Sequence, residues 1–259
     1  LVFFIDLLIV VFVDVLFFVG VFGPQIQSEF GLSHTSWGFI YMLGTLLSAL
    51  ALPVTGQLID RYPLMGYSLS VCVLLAVACG VMAFVTQTGA LVFGIFLLRH
   101  SGQGLATHVA ITTMGRYFNN NRGRAIAIAS LGITMGQAAL PFIAVAVMSR
   151  VGWRWTYGGV AAIIGVTAFP TILTLLRGHN LLHPPRLNSV KFAKDIELQD
   201  SATVSWSRKQ VLRDARFYML LPGIMAPGLI GTAFFFHHLT IADVKQWDAK
   251  WVTGNYIVY

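Results

Sequence analysis

A chain of 259 residues that is 56% hydrophobic and only 10% charged cannot face water over most of its surface, since soluble domains carry about 25% charged residues. Its net charge of +7 does not point to nucleic acid, because the basic residues fall between long apolar stretches and form neither a continuous patch nor a recognised nucleic-acid motif. Cys72 and Cys79 lie in one apolar stretch, too few for a disulfide framework or a zinc site, and read as small packing residues.

A spanning helix needs about 20 apolar residues. Taken in chain order, such stretches fall near 1–24, 36–59, 65–86, 89–115, 125–149, 154–176 and 217–240, and an eighth begins near 250. The first run starts at Leu1, is too long for a signal peptide, and lacks the basic start and small-residue cleavage site of one. Residues are therefore expected before Leu1, and the chain stops as its eighth stretch begins. The breaks are short and polar: QIQSEFGLSHT, the DRYP region, TQTG, the RYFNNNRGR run, SRVGWR and ADVKQWD, with a long hydrophilic segment after the sixth span. This pattern predicts an all-α membrane protein with a six-helix bundle over 1–177, a central loop over 178–215, and the start of a second bundle over 216–259.

Lys and Arg collect on the cytoplasmic side of membrane proteins. With the N-terminus inside, inner segments hold twelve of them, including Arg61, Arg116, Arg122, Arg124 and eight in the central segment, against four outside: Arg150, Arg154, Lys245 and Lys250. The N-terminus and central loop are thus expected in the cytoplasm of a plasma or inner membrane. Within SWSRKQVLRDARFY, Ser207 could cap a short interfacial helix with Val211 and Leu212 toward lipid; an ordinary basic linker is the equal alternative.

An ionisable side chain inside a spanning helix is costly and marks a candidate site. Arg99 stands about ten residues into the fourth span, or roughly 15 Å at the helical rise. Asp14, about ten residues from an outer end placed near Pro24, falls at a similar depth and could pair with it. Two readings follow: a fixed Asp14–Arg99 pair that only joins helices, or Arg99 facing an aqueous cavity where it binds an anion or responds to a proton. The second is preferred, and Gln103, one turn on, shares that face. His100 and His108 read as packing residues, Asp6 as water-accessible near the inner end of the first span, and His237 and His238 as interfacial. Gly132 and Gly136 form a GxxxG pair ahead of Pro141 in the fifth span, suiting close packing and a bend. The chain holds no phosphate-cradling G-x-x-x-x-G-K-S/T run, no G-x-S-x-G elbow and no H-E-x-x-H pair, which argues against an ATP motor or a hydrolase.

Three segments together resemble the major facilitator superfamily. GQLIDR, Gly56 to Arg61, is similar to its G-x-L-x-D-R signature between helices two and three. RHSGQG, Arg99 to Gly104, is similar to its fourth-helix signature. Tyr117 to Pro141 is similar to its fourth-to-fifth loop and fifth helix. The likeness is greatest to the bacterial monocarboxylate-porter and oxalate/formate-exchanger branch, which LRDARFYMLLP and AFFFHHL also fit. Pro63, Leu64 and Met65 depart from the glycine and basic residues usual after the first signature, and the fifth helix lacks the full Gly-Pro antiporter pattern. The resemblance implies twelve helices in two halves that rock about a central site. It gives Gly56, Asp60 and Arg61 to a gating loop and Arg99 to the central cavity. A secondary transporter of a small organic anion such as a monocarboxylate is expected, coupled to protons or exchanging, without cofactor or metal, embedded in a lipid bilayer, monomeric at full length and without nucleic-acid partners. A drug or sugar carrier of the same fold, a membrane receptor or scaffold, and a membrane enzyme are the alternatives; for an enzyme, no cluster of nucleophile, base or metal ligands lies at one depth.

Overall fold

The computed structural model describes residues 19–117, 122–168, 170, 172–173 and 208–255, and among them there are helices and no strand. Helix α1 (Val19–Phe30) ends at Gly31, whose φ of +63° is reached without strain only by glycine. Leu32 N–H donates back to the Gln27 carbonyl at 2.9 Å. Ser33 then opens α2 (His34–Thr55), its hydroxyl accepting from Ser36 N–H at 3.1 Å to fill a free amide of the first turn. A 3-10 turn over Gly56–Asp60 extends α2. Helix α3 covers Leu64–Phe84.

The fourth predicted span is one continuous run, but its winding changes twice: α4 (Thr88–Leu98), a π-helical segment over Arg99–Ala106, and α5 (Thr107–Tyr117). The local sequence explains the change. Gly102 and Gly104 loosen the backbone, and the Ser101 hydroxyl donates to the Leu97 carbonyl at 2.6 Å, competing with the main-chain ladder. π segments are rare and often mark functional positions.

Two expectations are corrected. The first span does not end near Pro24: α1 continues through that proline to Phe30. Proline forfeits one ladder bond, but Phe22 and Ile26, both buried on either side of it, hold the helix together by packing. The SRVGWR break stands where it was expected: two helices within Arg122–Ile163, labelled α6 together, meet at Gly152 (φ +82°), so a single glycine turns the chain between the fifth and sixth spans. The run passes through Gly132, Gly136 and Pro141 and continues into a second π segment over Ile164–Ala168. The amphipathic helix weighed for the basic segment is one turn, α7 (Arg208–Val211), with Leu212 in the turn after it; four residues cannot present an apolar stripe. Ser207 and residues 174–206 lie outside the described residues.

Asp214 caps α8 (Ala215–Val244) by accepting from Arg216 N–H at 2.8 Å, and Asp248 caps α9 (Ala249–Gly254) by accepting from Trp251 N–H at 2.8 Å. Among the described residues, three helical stretches are long and apolar enough to cross a bilayer: His34–Asp60, Leu64–Phe84 and Ala215–Val244. Packing sorts the helices. α3 lies against α6 and α4, α2 against α4 and the π segment, α8 against α1, and α9 against α6. At the α1–α8 crossing a Cβ on Gly20 would stand 2.8 Å from Phe236 Cα, so the two backbones touch. Large apolar side chains stay bare along α2 and α8, Leu50 and Ile224 among them, a surface that water does not favour and hydrocarbon or further protein does.

A membrane-type site around a buried arginine

Arg99 is 6% exposed and is the first residue of the π segment. Its guanidinium carbon stands 5.0 Å from the centroid of the Tyr41 ring on α2, a cation–π contact worth up to about 2 kcal/mol when desolvated. The same Tyr41 ring packs on Phe236 of α8 at 4.5 Å between centroids. Trp37, one turn earlier on α2, stacks on Phe236 at 6.1 Å and 10°. Arginine, tyrosine and phenylalanine from three separate helices therefore meet in one line.

Gln103 is half-buried in the same π segment. A Cβ on Gly104, the next residue, would stand 3.5 Å from the Arg99 carbonyl and 3.0 Å from Leu52. Asp14 lies outside the described residues.

The GQLIDR segment is tied to the far end of the same run. Gly56 is buried, while Asp60 and Arg61 are exposed where the 3-10 turn ends. The His108 ring Nε2 lies 3.1 Å from the Gly56 carbonyl. A carbonyl only accepts, so Nε2–H donates, which leaves Nδ1 to accept from the Thr112 hydroxyl at 3.5 Å. His100 Nε2 lies 3.1 Å from Thr55 Oγ1, whose proton goes to the Ala51 carbonyl at 3.1 Å, so His100 donates here too. Tyr67 Oη donates to the Thr55 carbonyl at 3.1 Å. The two histidines tie the fourth span to the end of α2. A cavity of about 590 Å³ opens beside them, lined by Thr55, Tyr62, Tyr67, Ser70 and His100 among others. Arg99 is not in its wall.

At the other end of the bundle, Trp153 Nε1 donates to Glu29 Oε2 at 2.6 Å, and Arg154 Nη2 and Nε donate to Glu29 Oε1 at 2.7 and 2.9 Å. Arg154 Nη1 adds a bond to the Ala83 carbonyl at 3.2 Å, so α1, α3 and α6 share one clasp. The hydrogen-bonded Arg154 guanidinium, assisted by Trp153, holds the Glu29 carboxyl below the usual carboxylate range. Sequence reasoning missed this clasp and also missed Tyr41 and Tyr157, a fully buried ring set between Phe22 at 4.5 Å and Trp153 at 6.2 Å. A signal for Tyr41 was present, since SWGFIY places it four residues after Trp37 on one face. Nothing local pairs Glu29 with Arg154. His237 and His238 sit against Phe236 and Phe234 respectively, and Cys72 and Cys79 are free and buried in the core.

The sequence profile of the Major Facilitator Superfamily matches residues 6–258, almost the whole chain. The chain belongs to that superfamily. It is also similar to monocarboxylate transporter 6 of Homo sapiens, with 25% identity over 145 residues. The aligned part is 55% of this chain, and the chain covers 29% of that relative's length. This agrees with the branch that the GQLIDR and RHSGQG segments resemble. Membership of the superfamily, together with the long apolar helices, makes this a membrane protein whose all-α architecture is a piece of the family bundle.

Proposed function

We propose that this chain is the first half and the opening of the second half of a twelve-helix secondary transporter, not an enzyme, that carries a small organic anion of the monocarboxylate class. On this reading 1–177 forms the N-terminal bundle, 178–215 the cytoplasmic loop, and 216–259 begins the C-terminal bundle. The GQLIDR end faces the cytoplasm and the Arg154 end faces out. The substrate is bound near the middle of the bilayer and exposed to each side in turn by rocking of the halves, with protons or a second anion as the coupling partner. Arg99 supplies the positive charge, with Gln103 and Asp14 as further candidates around it. Gly56, Asp60 and Arg61 form the cytoplasmic gating loop, and Gly132, Gly136 and Pro141 let the fifth span pack closely and bend.

The observation that carries this reading is the buried Arg99 at the start of a π segment. An arginine within an apolar run raises the insertion cost by a few kcal/mol on translocon scales, and a purely structural joint between helices could use neutral hydrogen bonds instead. The test is uptake of a labelled short-chain monocarboxylate by vesicles containing the full-length carrier. Arg99→Gln is expected to abolish uptake with expression intact. Arg99→Lys keeps the charge but loses the planar two-donor fork and should weaken uptake. Restoration of both folding and uptake by the double change Asp14→Asn with Arg99→Gln would make the arginine a structural partner alone and end the binding reading.

A further inference from the structure

We propose that Tyr41 is a positioning residue that couples the anion site at Arg99 to an outer gate made by Trp37, Tyr41 and Phe236. The proposal rests on the reading above for its orientation and substrate class. Its physical basis is the double use of one aromatic ring: Tyr41 meets the Arg99 guanidinium at 5.0 Å and Phe236 at 4.5 Å. Phe236 belongs to α8, the first helix after the central loop, whereas Tyr41, Trp37 and Arg99 belong to the bundle before it. The ring stack is therefore a contact between the two halves, set directly against the buried charge.

Two further observations place the closure at the outer end. A Cβ on Gly20 would stand 2.8 Å from Phe236 Cα and 3.0 Å from the Phe235 carbonyl oxygen, so α1 and α8 meet backbone to backbone at the level of the stack. Along α8 itself, Phe235, Leu239 and Ala242 are 9%, 6% and 1% exposed, whereas Met219, Leu220 and Ile224 are 80%, 63% and 76% exposed. Among the described residues the contact between the halves thus falls on the Phe235–Ala242 stretch of α8, at the level of the ring stack.

The chemistry gives the stack a reason to respond to substrate. A cation is held over a ring face by the ring's quadrupole. An anion bound to the same guanidinium offers a full opposite charge in a low-dielectric site, which outweighs the quadrupole. The guanidinium then turns toward the anion, and the Tyr41 ring, no longer fixed by the cation, holds Phe236 less firmly. Binding at Arg99 and opening at Phe236 become linked equilibria, and each must favour the other. The ring face and not the hydroxyl performs this coupling, so phenylalanine at position 41 retains it and an aliphatic residue does not.

The experiment uses the full-length carrier with Thr45→Cys as a reporter one turn inward of Tyr41 on the same helix, labelled from outside by a membrane-impermeant thiol reagent. The parent should label slowly and faster when monocarboxylate is added. Tyr41→Leu and Phe236→Leu should label faster without substrate by roughly tenfold, a shift within reach of a desolvated cation–π contact, and should lower kcat for uptake more than they raise KM. Arg99→Gln should also label fast without substrate, because the ring has lost its cation. Tyr41→Phe should match the parent in both measurements. Slow labelling of Tyr41→Leu, slow labelling of Arg99→Gln, or fast labelling of Tyr41→Phe each overturns the coupling. Labelling without substrate reads the gate even if Arg99→Gln still transports, so failure of the anion reading and failure of the gate are told apart.

Discussion

The two ends of the helical bundle are held by different chemistry. At the Arg154 end, helices distant in sequence are joined by an ion pair, an indole donor and stacked rings: Glu29 with Trp153 and Arg154, and Trp37 and Tyr41 with Phe236. At the Gly56 end, the third and fourth spans are joined to the second by single donors on helix-end oxygens: His108 on the Gly56 carbonyl, Tyr67 on the Thr55 carbonyl and His100 on the Thr55 hydroxyl, with a cavity beside them. A clasp of charge and aromatic surface brings far elements together and can come apart as a unit. A set of single hydrogen bonds adjusts one bond at a time. On the proposed reading, the Gly56 end serves a loop that must shift, and the Arg154 end a closure that is either made or broken.

The comparison breaks most severely at the joint between the ends. Gly44 lies where α2 crosses α4: an added Cβ would stand 2.7 Å from Ile95 Cγ2 and 3.0 Å from Phe96 N. Gly44→Ala should force the helices apart and loosen both ends at once, costing about 1–3 kcal/mol as overpacking does. Gly38→Ala on the same helix has nothing within 4 Å of its Cβ and should be neutral or stabilising by about 0.5–1 kcal/mol. Thermal unfolding of the two purified variants checks the contrast, and equal midpoints would show that the crossing is not rigid. Next in size is the Gly56 end. His108→Leu removes the donor to the Gly56 carbonyl and should cost about 1 kcal/mol, with His108→Gln recovering most of it; loss of stability without recovery by glutamine would mean that ring volume rather than the hydrogen bond matters.

The smallest effect belongs to the Glu29 clasp, because a partly exposed ion pair contributes under about 1 kcal/mol. The Glu29 carboxyl titrates below its ordinary value of 4.5 in the folded protein. A depressed acid contributes its stability above that ordinary value and loses it as pH falls through the lower folded value. Wild type should therefore be slightly more stable than Glu29→Gln at neutral pH, and the difference should vanish on acidification below about pH 4. A difference that grows with acid would mean that the carboxylate is not held by Arg154.

Much of the helical layout was legible because apolar length is a local property. The second, third and seventh spans fall within a few residues of the observed helices His34–Asp60, Leu64–Phe84 and Ala215–Val244. Where reading failed, punctuation was taken at face value. Pro24 looked like an end, but packing of Phe22 and Ile26 carried the helix past it. Of the site, the depth of Arg99 in its run was legible, since a charge among apolar residues stands out in any window. Its ring partner was not, because Tyr41 among other aromatic residues carries no mark of what it faces.

The sequence by itself determined the solvent, the helices and the family: composition requires hydrocarbon, run lengths require spanning helices, and GQLIDR and RHSGQG carry the likeness that the 6–258 match bears out. Only the tertiary structure decided who meets whom. The winding of Arg99–Ala106 as a π segment, the seating of Phe236 on Tyr41 and Trp37, and the Glu29–Arg154 clasp all depend on side chains brought together from different helices. Within a bilayer every spanning helix satisfies its own backbone, so helix formation is settled within each segment. The pairing of helices rests on shape and on a few polar contacts between segments, which no single stretch of sequence contains.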